Sequence, residues 1–312
     1  MSQSAEVLVG PTLWRRIARS GRITVGGSIL LCMLLLCVAS LWWTARVDGG
    51  RFYFDAQNLS DARQAPSLDG FAVMLGTDKL GRSMLGRSLM GGAISLGIGV
   101  MAAAIAVVLG VSVGLIAGYA GGWVDNLLMR IVDVLYSLPY VLMVVLLKIA
   151  LEGVLVKWMH PQAANLVVLF VAIGLVSWLT MARVVRGQVL SLRSLPYIEA
   201  CRAMGLPRRR IFLRHLLPNL VGPVIIYATL TIPQAILQES FLSFLGIGIQ
   251  PPLPTWGALA GEGLMEGLNP VFGRWWLLVV PCGLLALTLL SLNFVGDGLR
   301  DLLDPKQDAA KA

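Results

Sequence analysis

The chain has 312 residues, 57% hydrophobic and 13% charged, with 25 Lys and Arg against 17 Asp and Glu for a net charge of +8. Soluble domains carry about a quarter charged residues, so lipid solvates most of this surface, and the two soluble domains that length alone suggests are excluded. The basic residues stand in short segments beside apolar runs, a topology signal rather than a nucleic-acid footprint, so no nucleic-acid partner is expected.

A hydrocarbon core about 30 Å thick takes about 20 apolar residues in helix. Six runs qualify: residues 23–44, 92–118, 131–151, 165–182, 220–241 and 275–295. The first follows Arg15, Arg16, Arg19 and Arg22. It is too long for a signal-peptide core, and Trp42 and Trp43 stand where a cleavage site would fall, so it reads as a retained span ending at an interface. Residues 45–91 balance Arg and Lys against Asp. The second run carries Gly110, Gly114 and Gly118 at four-residue spacing, extended by Ser95, Gly99 and Ala103. Small residues on one face let another helix approach closely; packing is the favoured reading, with pathway lining still open.

Pro139 interrupts the third run, Pro223 and Pro233 the fifth, and Pro281 the sixth. Each removes a helix hydrogen bond and can kink the helix, which neighbouring helices make tolerable in lipid. Lys148 and Glu152 read as a helix-end pair. Ser177 in the fourth run joins the packing or pathway candidates. Glu239, near the outer end of the fifth, is an ionisable residue in a span and so a functional candidate, with a wet structural role equally open. Residues 243–273, rich in Gly and Pro, read as irregular backbone or short helices outside.

Residues 187–219 hold Arg193, Arg202, Arg208, Arg209, Arg210 and Arg214. Together with the N-terminal arginines they place both termini and this loop inside. Cys32, Cys37, Cys201 and Cys282 have no metal-site or disulfide spacing. The run Gly76-Thr77-Asp78-Lys79-Leu80-Gly81-Arg82 lacks the Gly-Lys-Ser/Thr of a phosphate loop. His160 and His215 fall in opposite loops, and no nucleophile–base set assembles. No catalytic, cofactor or metal site is therefore expected. A stand-alone secondary transporter would need an inverted repeat and a buried ion site, and neither is evident.

The inner loop reads as two short helices. The first covers residues 197–204 after Pro196, closed by Gly205 in a left-handed conformation. The second starts at Pro207 and runs to about Leu217, with Pro218 opening a link to the fifth span. Ile211, Phe212, His215 and Leu216 share one face. Arginines at its N-terminus oppose the helix dipole, which points to lipid phosphates or a docked partner rather than to helix stability.

The pattern Glu199-Ala200-Cys201, Gly205, Ile211, His215 and Pro218-Asn219 resembles the signature loop of ATP-binding-cassette importer permeases, with Cys201 where the family usually has Ala. The resemblance extends to Gly76-Thr77-Asp78 with Gly81-Arg82, to Asp125, Met129-Arg130 and Asp133 before Pro139, and to Ser177-Trp178 and Arg186-Gly187-Gln188. It continues through Leu242-Ser243-Phe244-Leu245-Gly246, Gln250-Pro251-Pro252, Gly296-Asp297-Gly298 and Asp304-Pro305. The peptide branch is the nearest.

The resemblance implies an all-α polytopic membrane protein with the type I importer permease fold, six spans and cytoplasmic termini, in a bacterial inner membrane. Residues 1–91 would form the inner segment, first span and outer segment, residues 92–300 the core with its coupling loop at 187–219, and residues 301–312 the tail. It implies a second homologous permease, two ATPase subunits holding ATP and Mg²⁺, and an external peptide-binding protein. Oligopeptides or dipeptides are the expected substrates, with nickel chelates, glutathione or antibacterial peptides as alternatives. The ATPase would be met by Glu199, Ala200, Cys201, Gly205, Ile211, His215, Pro218 and Asn219.

Overall fold

A computed structural model describes residues 20–48, 51–271 and 273–303. Arg15, Arg16, Arg19 and residues 304–312 lie outside the described residues. The described chain is almost wholly helical: α1 (Gly21–Thr44), α2 (Met84–Ala120), α3 (Gly122–Tyr136), α4 (Tyr140–Leu155), α5 (Pro161–Arg193), α6 (Pro196–Ala203), α7 (Arg208–Ile211), α8 (Leu217–Phe244), α9 (Trp256–Gly267) and α10 (Trp276–Leu303). One exception is a two-residue ribbon pairing Val47–Asp48 with Arg51–Phe52.

Five helices are long and apolar enough to cross a membrane. The third expected span, 131–151, is not one helix. It falls across α3 and α4, which meet at 97°. The cause is local. Pro139 has no N–H to continue the ladder, and it drives Leu138 out of helical geometry. Hydropathy alone runs smoothly through the corner. The second and fourth spans also exceed their expected limits, starting at Met84 rather than Gly92 and ending at Arg193 rather than Ala182. Their apolar windows stop at charged residues, but a helix ladder continues into water. At 1.5 Å per residue α2 is about 55 Å long, well beyond a hydrocarbon core.

The bundle is built around α2 and α5, which share its most extensive helix–helix contact. Ile98, Ala102, Leu169, Ile173 and Leu179 of this pair meet Val132, Val144 and Ala235 of α3, α4 and α8 in the largest apolar cluster. The small-residue stripe makes that approach possible. A Cβ at Gly114 would stand 2.6 Å from the Ala182 carbonyl oxygen, and one at Gly118 would stand 2.8 Å from Val189 Cβ. Gly110 faces Met181 at 2.5 Å on the same measure. These three glycines face α5 and no cavity. Farther along α2, Gly99 admits Ile236 of α8.

Candidate coupling surface and membrane groove

α6 opens with Pro196 in its first turn and ends in a hydrogen-bonded closure. Gly205 N–H donates to Arg202 O at 2.9 Å, and Leu206 N–H donates to Cys201 O at 3.1 Å. Gly205 has φ +73°, the left-handed value this closure requires and glycine reaches without penalty. Ile198 and Cys201 turn inward, where they pack with Ile211 and Leu216, bordered by Tyr119, Leu192, Leu206 and Phe212. Asn219 donates to His215 O at 2.6 Å and Tyr197 Oη at 3.3 Å, tying the start of α6 to the start of α8.

This packing sorts the expected contact residues. Glu199, Ala200, Gly205, Pro218 and Asn219 are exposed, and His215 is half-buried. Cys201 and Ile211 are buried inside the chain, so their side chains brace the loop and do not face outward. Met204, beside Gly205, is 70% exposed, a large apolar side chain left uncovered.

The second loop helix is not a separate body. α7 passes through a π turn, Phe212–Leu216, directly into α8. Leu217 N–H reaches back five residues to Phe212 O. The wider turn relieves the clash that Pro218 would otherwise make with the carbonyl four residues earlier.

A cavity of about 410 Å³ opens where the α3–α4 corner meets α5 and α8. Leu138, Tyr140 and Met143 form its corner wall, Ser177 and Thr180 line the α5 side, and Tyr227, Thr231, Gln234 and Gln238 line the α8 side. The Ser177 hydroxyl is already bonded to Ile173 O at 2.9 Å. Beside the cavity, Arg183 pairs with Asp133 at 2.8 Å and lies 4.0 Å over the Tyr136 ring. Sequence reasoning singled out Ser177 but missed the α8 residues. Their spacing of four, three and four was the available signal.

Glu239 is not wet. It is fully buried and accepts hydrogen bonds from Ser243 at 2.7 Å, Ser95 at 3.2 Å and Ser240 at 3.4 Å. It therefore ties α8 to α2 rather than facing the cavity. Lys148 is not simply a helix-end partner of Glu152: its ammonium donates to the carbonyls of Ile247 at 2.7 Å and Gly248 at 2.9 Å, pinning the loop after α8 to α4.

The segment before α2 closes on α2 and α9 through ion pairs that sequence reasoning did not find. Arg87 reaches Asp78 and Glu262, each at 2.8 Å, and Arg82 reaches Asp78 at 2.7 Å and Asp55 at 3.0 Å. Burial pushes the Asp78 carboxyl up, but the charge of Arg87 and the hydrogen bonds and charge of Arg82 outweigh it and hold it below its ordinary range. Glu262 is likewise pushed up by burial and held low on balance by Arg87 and Arg82. These residues lie far apart in sequence, so no local pattern announces the cluster.

Residues 110–309 match the model of the family described as "Binding-protein-dependent transport system inner membrane component". The chain is 40% identical over 304 residues to the oligopeptide transport system permease protein OppC of Haemophilus influenzae, covering 96% of this chain and 90% of that protein. It is also 40% identical to the dipeptide transport system permease protein DppC of Bacillus subtilis, covering 94% and 84%. A glutathione transport system permease protein, GsiD of Pectobacterium atrosepticum, is 36% identical. Inward-facing structures of the MetNI methionine ABC transporter share the fold, with a TM-score of 0.52 and 22% identity over 68% of this chain and 94% of that one. With the family model matching residues 110–309 and relatives 40% identical over nearly the whole chain, this chain belongs to the family of binding-protein-dependent transport system inner membrane components.

Proposed function

We propose that this chain is a permease subunit of an ATP-binding-cassette importer, forming half of the membrane path for peptides of oligopeptide or dipeptide size. The observation that carries the reading is the identity of about 40% over nearly the whole chain to permeases named for oligopeptide and dipeptide transport. Its partners are a second homologous permease, two ATPase subunits and an external peptide-binding protein, in a bacterial cytoplasmic membrane. Both termini and the α6 loop face the cytoplasm; the segment before α2 and the α9 segment face outward. ATP and Mg²⁺ act in the ATPase subunits, and this chain hydrolyses none.

Mechanically, α6 is the element that a nucleotide-driven ATPase would push. Glu199, Ala200 and Gly205 present the contact, while Cys201 and Ile211 pass the displacement into the α7–α8 rod. That rod carries one wall of the groove, so closure of the ATPases tilts the surface that peptides pass.

Gly205→Asn tests the docking. No atom lies within 4 Å of a Cβ built at Gly205, and Asn tolerates the left-handed conformation. Membrane insertion and yield of the variant are expected to match the wild type. Peptide uptake by the full importer is expected to fall roughly tenfold or more, because an interface clash of about 1.4 kcal/mol already has that effect. Wild-type uptake and normal co-purification with the ATPase would remove Gly205 from the docking surface.

A further inference from the structure

We infer that Tyr227, Thr231, Gln234 and Gln238 of α8, opposed by Tyr140 of α4, form an uncharged hydrogen-bonding surface that recognises the main chain of a peptide in transit. This deepens the proposed function and rests on it.

The four α8 residues are spaced so that, at about 100° per residue, they fall within an arc of about 60° on one helix face. They lie mid-helix, between apolar residues in a segment long enough to span the membrane. Tyr227 and Gln234 are exposed on this chain. A row of polar side chains at that depth does not face lipid; such residues face a protein interior or a watered path. All four line the cavity of about 410 Å³, within the range of ligand-binding clefts.

Two features say what the surface would bind. No Asp, Glu, Lys or Arg lines the cavity. In addition, Tyr140 Oη and Gln238 Oε1 are buried without any hydrogen-bond partner. Buried polar atoms are rarely left unpaired in a folded protein, and those that are call for a partner. Both sit in the cavity wall.

The complementary ligand is a chain of amides. Each non-proline residue of a peptide offers one N–H donor and one carbonyl acceptor, whatever its side chain. Gln carries the same donor and acceptor pair, and the hydroxyls of Tyr and Thr serve either role. A surface with these groups and no charge holds any peptide by its main chain and leaves side-chain charge unread. Selection by sequence then falls to the external binding protein.

The test uses the full importer in vesicles and peptides of one length carrying positive, zero or negative side-chain charge. Wild type is expected to import the three classes at similar maximal rates once each saturates the binding protein. Gln238→Leu is expected to slow all three by the same factor, roughly fivefold to tenfold, as expected for a lost hydrogen bond. Gln234→Glu, at an exposed position that tolerates substitution, is expected to favour positive over negative peptides by roughly tenfold. Co-purification of all subunits establishes assembly, and if Gln238→Leu does not assemble, Gln234→Glu carries the test. Charge-blind import by Gln234→Glu, or a Gln238→Leu slowdown confined to one charge class, overturns the inference alone. A wild-type importer that moves no peptide of any class overturns the proposed function instead.

Discussion

Arg87→Met is expected to destabilise the end of the bundle where α2 begins by about 3–5 kcal/mol, the range for removing one partner of a buried ion pair. The Arg87 side chain is 2% exposed and that of Asp78 7%, so water cannot replace the partner Asp78 loses, while Glu262, at 30%, is only partly rehydrated. Asp78 keeps Arg82, but Glu262 loses its two shortest bonds, at 2.8 and 3.0 Å, and retains a contact with Arg82 at 3.4 Å. Thermal inactivation of the purified chain in detergent measures the loss. Arg63→Met is the matched control. It breaks a more exposed pair with Glu266, and such pairs contribute about 0–1 kcal/mol. Equal shifts for the two variants would mean that the buried network does not hold the segment before α2.

The same network sets a pH dependence. The folded chain holds the Asp78 and Glu262 carboxyls below their ordinary range, so the unfolded chain binds more protons in acid. Their stabilisation is complete above the ordinary carboxylate range and drains away as pH falls through it and below. The amide protection factors of residues 55–82, corrected for the intrinsic pH dependence of exchange, should therefore fall on acidification below about pH 4. In Arg87→Met the fall should begin at higher pH, because one of the two guanidinium groups that lower both carboxyls has gone.

Gly114→Ala should force apart the chain's central helix pair. The added carbon would meet a carbonyl oxygen at 2.6 Å and the Arg186 backbone nitrogen at 3.0 Å. Neither yields without breaking the α5 ladder, so the helices must separate. Overpacking of this kind costs about 1–3 kcal/mol, and Gly114→Leu should cost more. Gly97→Ala, in the same helix, meets only the tip of Phe170 at 4.0 Å and should be neutral. Melting of the two alanine variants side by side decides the point. Equal stability would show that α2 and α5 can separate without cost.

Several of these features could be read from residue order and others could not. The Gly205 closure was legible because Gly-Leu-Pro is a local instruction: one residue for the left-handed turn and a proline to begin the next helix. The α3–α4 corner was legible only in part. Pro139 marked the place, but a proline in a membrane helix produces anything from a slight bend to a right angle, depending on what packs against it. The continuity of α7 with α8 was hidden because Pro218 suggests a break, and the π turn that accommodates it has no sequence signature as plain as a cap. Glu239 was noticed for its charge, yet its burial depends on Ser95, 144 positions away. The ion network depends on the same kind of distant meeting. The groove differs, since the α8 polar row has a period that hydropathy averaging erased.

The π turn at Phe212–Leu216 also fixes a phase. An α-helix advances about 100° per residue, and a π turn holds one residue more than the ladder needs. Everything beyond it is rotated by that amount relative to the segment before. With that turn in place Ile211 packs against α6 while Tyr227 and Gln238 line the groove. Loss of a single residue between 212 and 216 would close the turn and swing the polar row about 100° off the groove. Chain length in this segment, more than the identity of any side chain in it, keeps the α6 surface and the groove in register.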